Sequence, residues 1–161
     1  MMNMSIRLEL SQRACRRMAL YSLALGIAYT VLGLLELVNA IFSWFLPRIG
    51  PPLRSPWLPS SDAFGAFSSI VIGAVFSYAI GLWKGKQEDV AFVLVGTILS
   101  GTFGVLYILI SLADALEALI SGGRALGALA AGLMRPEIWL FFSALPLALA
   151  SWGHVLRKEA R

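Results

Sequence analysis

The sequence predicts an all-α polytopic membrane protein, a four-transmembrane-helix bundle with both termini in the cytoplasm. Three observations carry this prediction. The chain is 58% hydrophobic and only 14% charged, against about 45–50% and about 25% in soluble domains. The apolar residues gather into runs of membrane-span length, about 20 helical residues for a hydrocarbon core of about 30 Å. The lysines and arginines stand at the ends of those runs, where lipid headgroups lie.

The first run, Met18 to Leu46, is the longest and ends at Pro47, which lacks the N–H that a continuing helix needs. Before it, Met1 to Arg17 is polar and basic, and reads as a short helix at the membrane surface. Val38-Asn39-Ala40 resembles a signal-peptide cleavage site, but the run is too long for a signal core and carries Glu36. The loop 47–63 contains Pro47, Pro51, Pro52, Pro56 and Pro59, and so reads as an extended outer loop. The second span, Phe64 to Trp83, starts from an N-cap at Ser61 or Asp62.

After a polar turn, Lys84 to Asp89, the third span covers Val90 to Leu112. The stretch Ala113 to Arg135 continues that helix to about Ile120 and breaks at Gly122-Gly123, with 124–134 as an interfacial helix. The fourth span, Ile138 to Leu156, carries Pro146 as an expected kink. All of this makes one integral membrane domain, residues 1–161.

Nine lysines and arginines fall in the N-terminal segment, the turn after the second span and the C-terminal tail, and four in the other two loops. That bias places both termini in the cytoplasm. Trp44, Trp57 and Trp139 then fall at one membrane boundary and Trp83 and Trp152 at the other, as an aromatic belt requires. The expected location is a multi-pass position in the cell membrane.

Within the first span, Ser22, Gly26, Tyr29, Gly33, Glu36, Ala40 and Ser43 recur at alternating spacings of four and three. Such a seam keeps one helix face toward a partner. It holds an ionisable group, Glu36, with Asn39 beside it and Tyr29 two turns away. Carboxyl groups in a span are costly and commonly functional, so Glu36, Asn39 and Tyr29 form the candidate proton or cation site. The competing reading is a packing seam in which a neighbouring helix clasps Glu36.

The second span carries Gly65, Ser69, Gly73, Ser77 and Gly81 at strict spacing of four. These small residues allow close backbone approach. With 3.6 residues per turn such a ridge drifts around the helix, so it needs two partners. Together with Gly26 and Gly33, it forms the expected helix-packing surface. The third span aligns Thr97, Ser100, Gly104, Tyr107, Ser111 and Asp114 on one face. Asp114 and Glu117 are expected at the outer mouth, paired with Arg124 or Arg135.

One cysteine, Cys15, and one histidine, His154, exclude an intrachain disulfide, a CxxC motif and a poly-His metal site. Cys15, among arginines, is a candidate for palmitoylation by position alone. No catalytic, cofactor or metal motif stands out, so the expectation is a non-enzyme with no cofactor. The net charge of +4 is spread over the span ends rather than one patch, which argues against nucleic acid. The sequence favours an accessory or interaction subunit of a membrane complex. The alternative is a homo-oligomeric transporter or channel that uses Glu36 as its coupling carboxylate. The expected partners are the lipid bilayer and either further copies of the chain or other membrane subunits.

Overall fold

Leucine, alanine and the seam residues carry one helix, α1, from Gln12 to Phe45 without interruption. The computed structural model describes residues 12–53 and 62–159. Gln12 to Arg17 are therefore the first turns of the long helix and not a separate surface helix. Nothing between Arg17 and Met18 breaks the backbone hydrogen bonding, and arginine is a good helix former. Met1 to Ser11 lie outside the described residues.

Helix α2, Ala63–Tyr78, starts on Asp62, whose side chain accepts from the Gly65 N–H. The predicted second helix tightens before Trp83, because Ala79–Lys84 form a 3-10 helix that ends on Gly85 at φ 79°. A second 3-10 turn, Gln87–Asp89, replaces the plain polar turn and leads into α3, Val90–Ile120. Ser121 caps α3, and Gly122 takes φ 75°, a conformation that glycine reaches without steric cost. The chain then reverses into α4, Ala125–Leu133, and α5, Pro136–Glu159. Helix α5 begins at Pro136 rather than Ile138, since proline is at home in a first helical turn. It runs through Pro146.

Among the described residues, three helices are long and apolar enough to span a membrane: α1, α2 with its 3-10 extension, and α3. A fourth span exists if α4 and α5, bent by 54° at Met134–Arg135, are taken together. At 1.5 Å per residue, α1 is about 51 Å and α3 about 46 Å long. Each exceeds the hydrocarbon core and so must tilt or project.

The interior has two layers. At the end where α1 begins, Leu25, Ile72, Phe76, Leu82, Val93 and Leu147 make an apolar core. Toward the other end the buried residues turn polar: Tyr29, Glu36, Asn39, Ser68, Ser69, Ser100 and Glu137 are each 5% exposed or less. Outward faces carry exposed Ile27, Val31, Leu34, Val71, Ile98 and Leu109, as lipid contact requires. Cys15 is 3% exposed. Its burial removes the palmitoylation reading, which needs an accessible thiol.

The small residues are consumed inside the chain. A Cβ at Gly33 would lie 2.7 Å from the Ala66 carbonyl oxygen, and one at Gly73 would lie 2.8 Å from the Gly26 carbonyl oxygen. Helices α1 and α2 therefore meet backbone to backbone. The drifting ridge of α2 is shared among neighbours. Gly73 and Ser77 face α1, Gly65 faces Tyr107 of α3, and Gly81 faces Asp89. Gly104 of α3 receives the ring of Phe141 from α5, and Gly96 receives that of Phe76.

Candidate functional site

The α1 seam points into the bundle. Ser22, Tyr29 and Glu36 recur every seven residues and are each 2% exposed or less. The Ser22 hydroxyl donates to the Phe76 carbonyl oxygen at 2.9 Å. The Tyr29 and Ser100 hydroxyls share a hydrogen bond of 2.6 Å, which ties α1 to α3. About 10 Å further along α1, Glu36 is wholly buried.

Glu36 meets a second acid. Glu137, in the first turn of α5, turns its carboxyl against that of Glu36. Apart from the two acids themselves, no described side chain hydrogen-bonds any of the four oxygens. Two acids in contact, buried and otherwise unpartnered, are expensive in either charge state. An ionised carboxylate loses its hydration, and an isolated neutral acid still lacks its partners.

Asp62 and Arg135 stand within electrostatic range of the pair. The Arg135 guanidinium donates to Asp62 Oδ2 at 2.9 Å, and the Tyr107 hydroxyl donates to the same oxygen at 3.0 Å. Asp62 Oδ1 accepts from the Gly65 N–H at 2.8 Å. The Arg135 guanidinium carbon lies 4.8 Å from the centre of the Tyr107 ring, within cation–π range. This cluster joins the start of α2, the middle of α3 and the α4–α5 bend. The Arg135 and Asp62 side chains are 25% and 19% exposed, whereas Tyr107 is buried.

Asn39 is fully buried. Its amide donates to the Leu53 carbonyl at 3.0 Å and accepts from the Leu53 N–H at 3.2 Å. It holds the loop across this end of the bundle, with one donor and one acceptor position of its amide engaged there.

Of the expected ion-site residues, Glu36 lies at the acid pair, Tyr29 lies along the same seam and Asn39 serves the loop. Gly26, Gly33, Gly65, Gly73 and Ser77 lie between helices, Gly81 lies against Asp89, and Ser69 is buried. Arg135 pairs with Asp62 rather than with Asp114 or Glu117, both of which are exposed. The bend after α4 turns Arg135 inward, whereas α3 carries Asp114 and Glu117 on outward faces. Sequence reasoning missed Glu137. An acid directly after a helix-starting proline looks like an ordinary first-turn residue, favoured by the helix dipole.

Among the described residues, no group of three or more acids, histidines or cysteines could hold a metal ion. The arrangement offers two buried oxygen-donor side chains in contact.

The family model of the MJ0565 integral membrane domain matches residues 13–154. The chain belongs to that family. The matched range takes in all of the MJ0565-type bundle described above, from the first turns of α1 to the far part of α5. It includes Glu36, Asp62, Arg135 and Glu137. Neither a curated protein nor a solved structure matches the chain. It is thus a multi-pass integral membrane protein, with the bilayer as its environment.

Proposed function

We propose that this protein is a cation- or proton-coupled membrane carrier of the cell membrane, and that the Glu36–Glu137 pair is its coupling site. The observation that carries this reading is the burial of both carboxyls against each other with no other described side chain bonded to them. A shared proton, or a small cation bridging the two acids, relieves that burial. An exchangeable occupant is what coupling needs. The Asp62–Arg135 ion pair, partly exposed and within electrostatic range of this site, acts as its gate. In the closed form its arginine is held by Asp62. When Arg135 releases Asp62 it becomes free to swing toward the acids and displace their cation. No catalytic chemistry is assigned to the chain. Four helices make a narrow bundle, and a second copy completes the substrate path.

The accessory-subunit reading draws on one observation. Helix α4 has no buried residue, and Leu126 within it and Ile120 at the end of α3 are more than 80% exposed. This uncovered apolar hairpin suits a partner subunit or lipid. The small-residue faces no longer support that reading, because α1, α2 and α3 use them on one another.

Proteoliposomes loaded with a pH-reporting dye and given a sodium or potassium gradient separate the two. The carrier reading expects a cation-driven pH change with the native chain. E36Q and E137Q should lose it while keeping the native melting temperature. Exchange no faster than in empty vesicles, for both cations, contradicts the carrier reading.

A further inference from the structure

A second feature lies at the opposite end of the bundle, where α1 begins and α2 ends. A surface groove of about 480 Å³ runs between Leu20 and Leu23 of α1 and Ile80 and Trp83 of the 3-10 helix, with Lys84 and Lys86 also on its wall. Leu20, Ile80 and Trp83 are 40–50% exposed, so the trough is open toward lipid. Arg16 precedes Leu20 by one turn on the same face of α1. Its guanidinium carbon lies 4.6 Å from the centre of the Trp83 ring.

The charges at this end are one-sided. Among the side chains the structure describes, Arg13, Arg16, Arg17, Lys84 and Lys86 stand against the acids Glu88 and Asp89, and the Asp89 carboxylate rests against Gly81. Among the described residues, neither Lys84 nor Lys86 is in a salt bridge. The groove thus joins a hydrocarbon wall to unpaired ammonium groups, with a tryptophan where the two meet.

We infer that this groove binds an anionic phospholipid. One acyl chain lies along Leu20, Leu23 and Ile80, and the headgroup phosphate is held by Lys84, Lys86 and Arg16. Tryptophan and long cationic side chains favour this boundary because each offers an apolar stem and a polar end. A zwitterionic lipid supplies the same tail, but its own ammonium offsets the phosphate charge. A packed helix from another chain would have to bring carboxylates to the lysine amines it buried. The site is independent of the carboxyl pair, and either can fail without the other.

The test is native mass spectrometry of the full chain, released from detergent after incubation with equimolar phosphatidylglycerol and phosphatidylcholine of matched chains. The native protein should retain one phosphatidylglycerol in clear preference. Each cation lost should lower that preference roughly fivefold, so K84Q/K86Q should nearly abolish it. L23W should fill the trough and expel lipid of either headgroup. R48Q, which removes an exposed cation at the other end, should change nothing. Equal retention of the two lipids by the native chain overturns the site. So does an R48Q loss as large as that of K84Q/K86Q, or a lipid-free dimer as the main species.

Discussion

Glu36 of α1 and Glu137 of α5 bury their carboxyls against each other, at 0% and 5% exposure. They are held there by a clamp that touches neither of them directly. Arg135, two residues before Glu137, is tied to Asp62 at 2.9 Å and lies over Tyr107. Asp62 in turn caps α2. The start of α5 is therefore fixed by the start of α2 and the middle of α3, and that fixes Glu137 opposite Glu36.

The clamp is expected to matter more through its cap than through its ion pair. Asp62→Ala removes an N-cap, worth about 1 kcal/mol, and a partly exposed ion pair worth about 0–1 kcal/mol. With the Tyr107 hydrogen bond lost as well, worth about 0.5–1.5 kcal/mol, thermal unfolding in detergent should show a total loss of about 1.5–3.5 kcal/mol. Tyr107→Phe, which removes only its hydrogen bond to Asp62, should cost about 0.5–1.5 kcal/mol. Equal melting temperatures for native protein and Asp62→Ala would refute the clamp.

The backbone contact between α1 and α2 leaves no room for side chains. Gly33→Leu and Gly73→Leu each drive carbon into a facing main chain, and overpacking of this kind costs about 1–3 kcal/mol or more. Both variants should lower the unfolding temperature, whereas Val31→Leu, on a lipid-exposed position, should leave it unchanged. If Gly33→Leu were as stable as Val31→Leu, α1 and α2 would not pack through these glycines.

The Tyr29–Ser100 hydrogen bond is buried and joins two spans. Such bonds between membrane helices average only about 0.6 kcal/mol, because the unpacked helices find other partners. A double-mutant cycle with Tyr29→Phe and Ser100→Ala should give a coupling near that value. Additive losses would place the two hydroxyls in separate interactions.

These relationships were legible in the sequence to different degrees. The α1 seam was readable because helical spacing alone determines which residues share a face, and the small residues named the face that packs. Glu36 was readable because an acid has no ordinary reason to sit in an apolar run. The Asp62 N-cap was readable because capping is local. Glu137 was not, since position and neighbours give it an ordinary reason to be there. The Arg135–Asp62 pair was not readable either. It spans two helices and a bend, and Asp114 and Glu117 offered nearer acids on the same side of the membrane. Local rules reach about one turn of helix, and the second half of this site is assembled across the bundle.

Replacing both acids should separate stability from function. A buried ionisable pair replaced by apolar residues of similar size is commonly neutral or stabilising by about 1–4 kcal/mol. Glu36→Leu with Glu137→Leu should therefore melt at or above the native temperature and lose all cation-linked pH change. A strong loss of stability in this double variant would make the pair a structural clasp instead.

The most direct test of the central claim asks whether the Glu36–Glu137 pair exchanges its occupant with solution. Infrared difference spectroscopy of the protein in lipid, switched between acidic and alkaline buffer or between sodium-free and sodium-rich buffer, reports the C=O stretch of protonated carboxyl groups. A buried-carboxyl band that changes with pH or sodium is expected in the native protein and should vanish in E36Q/E137Q. A native spectrum with no such change under either switch, or a change that survives in E36Q/E137Q, contradicts it.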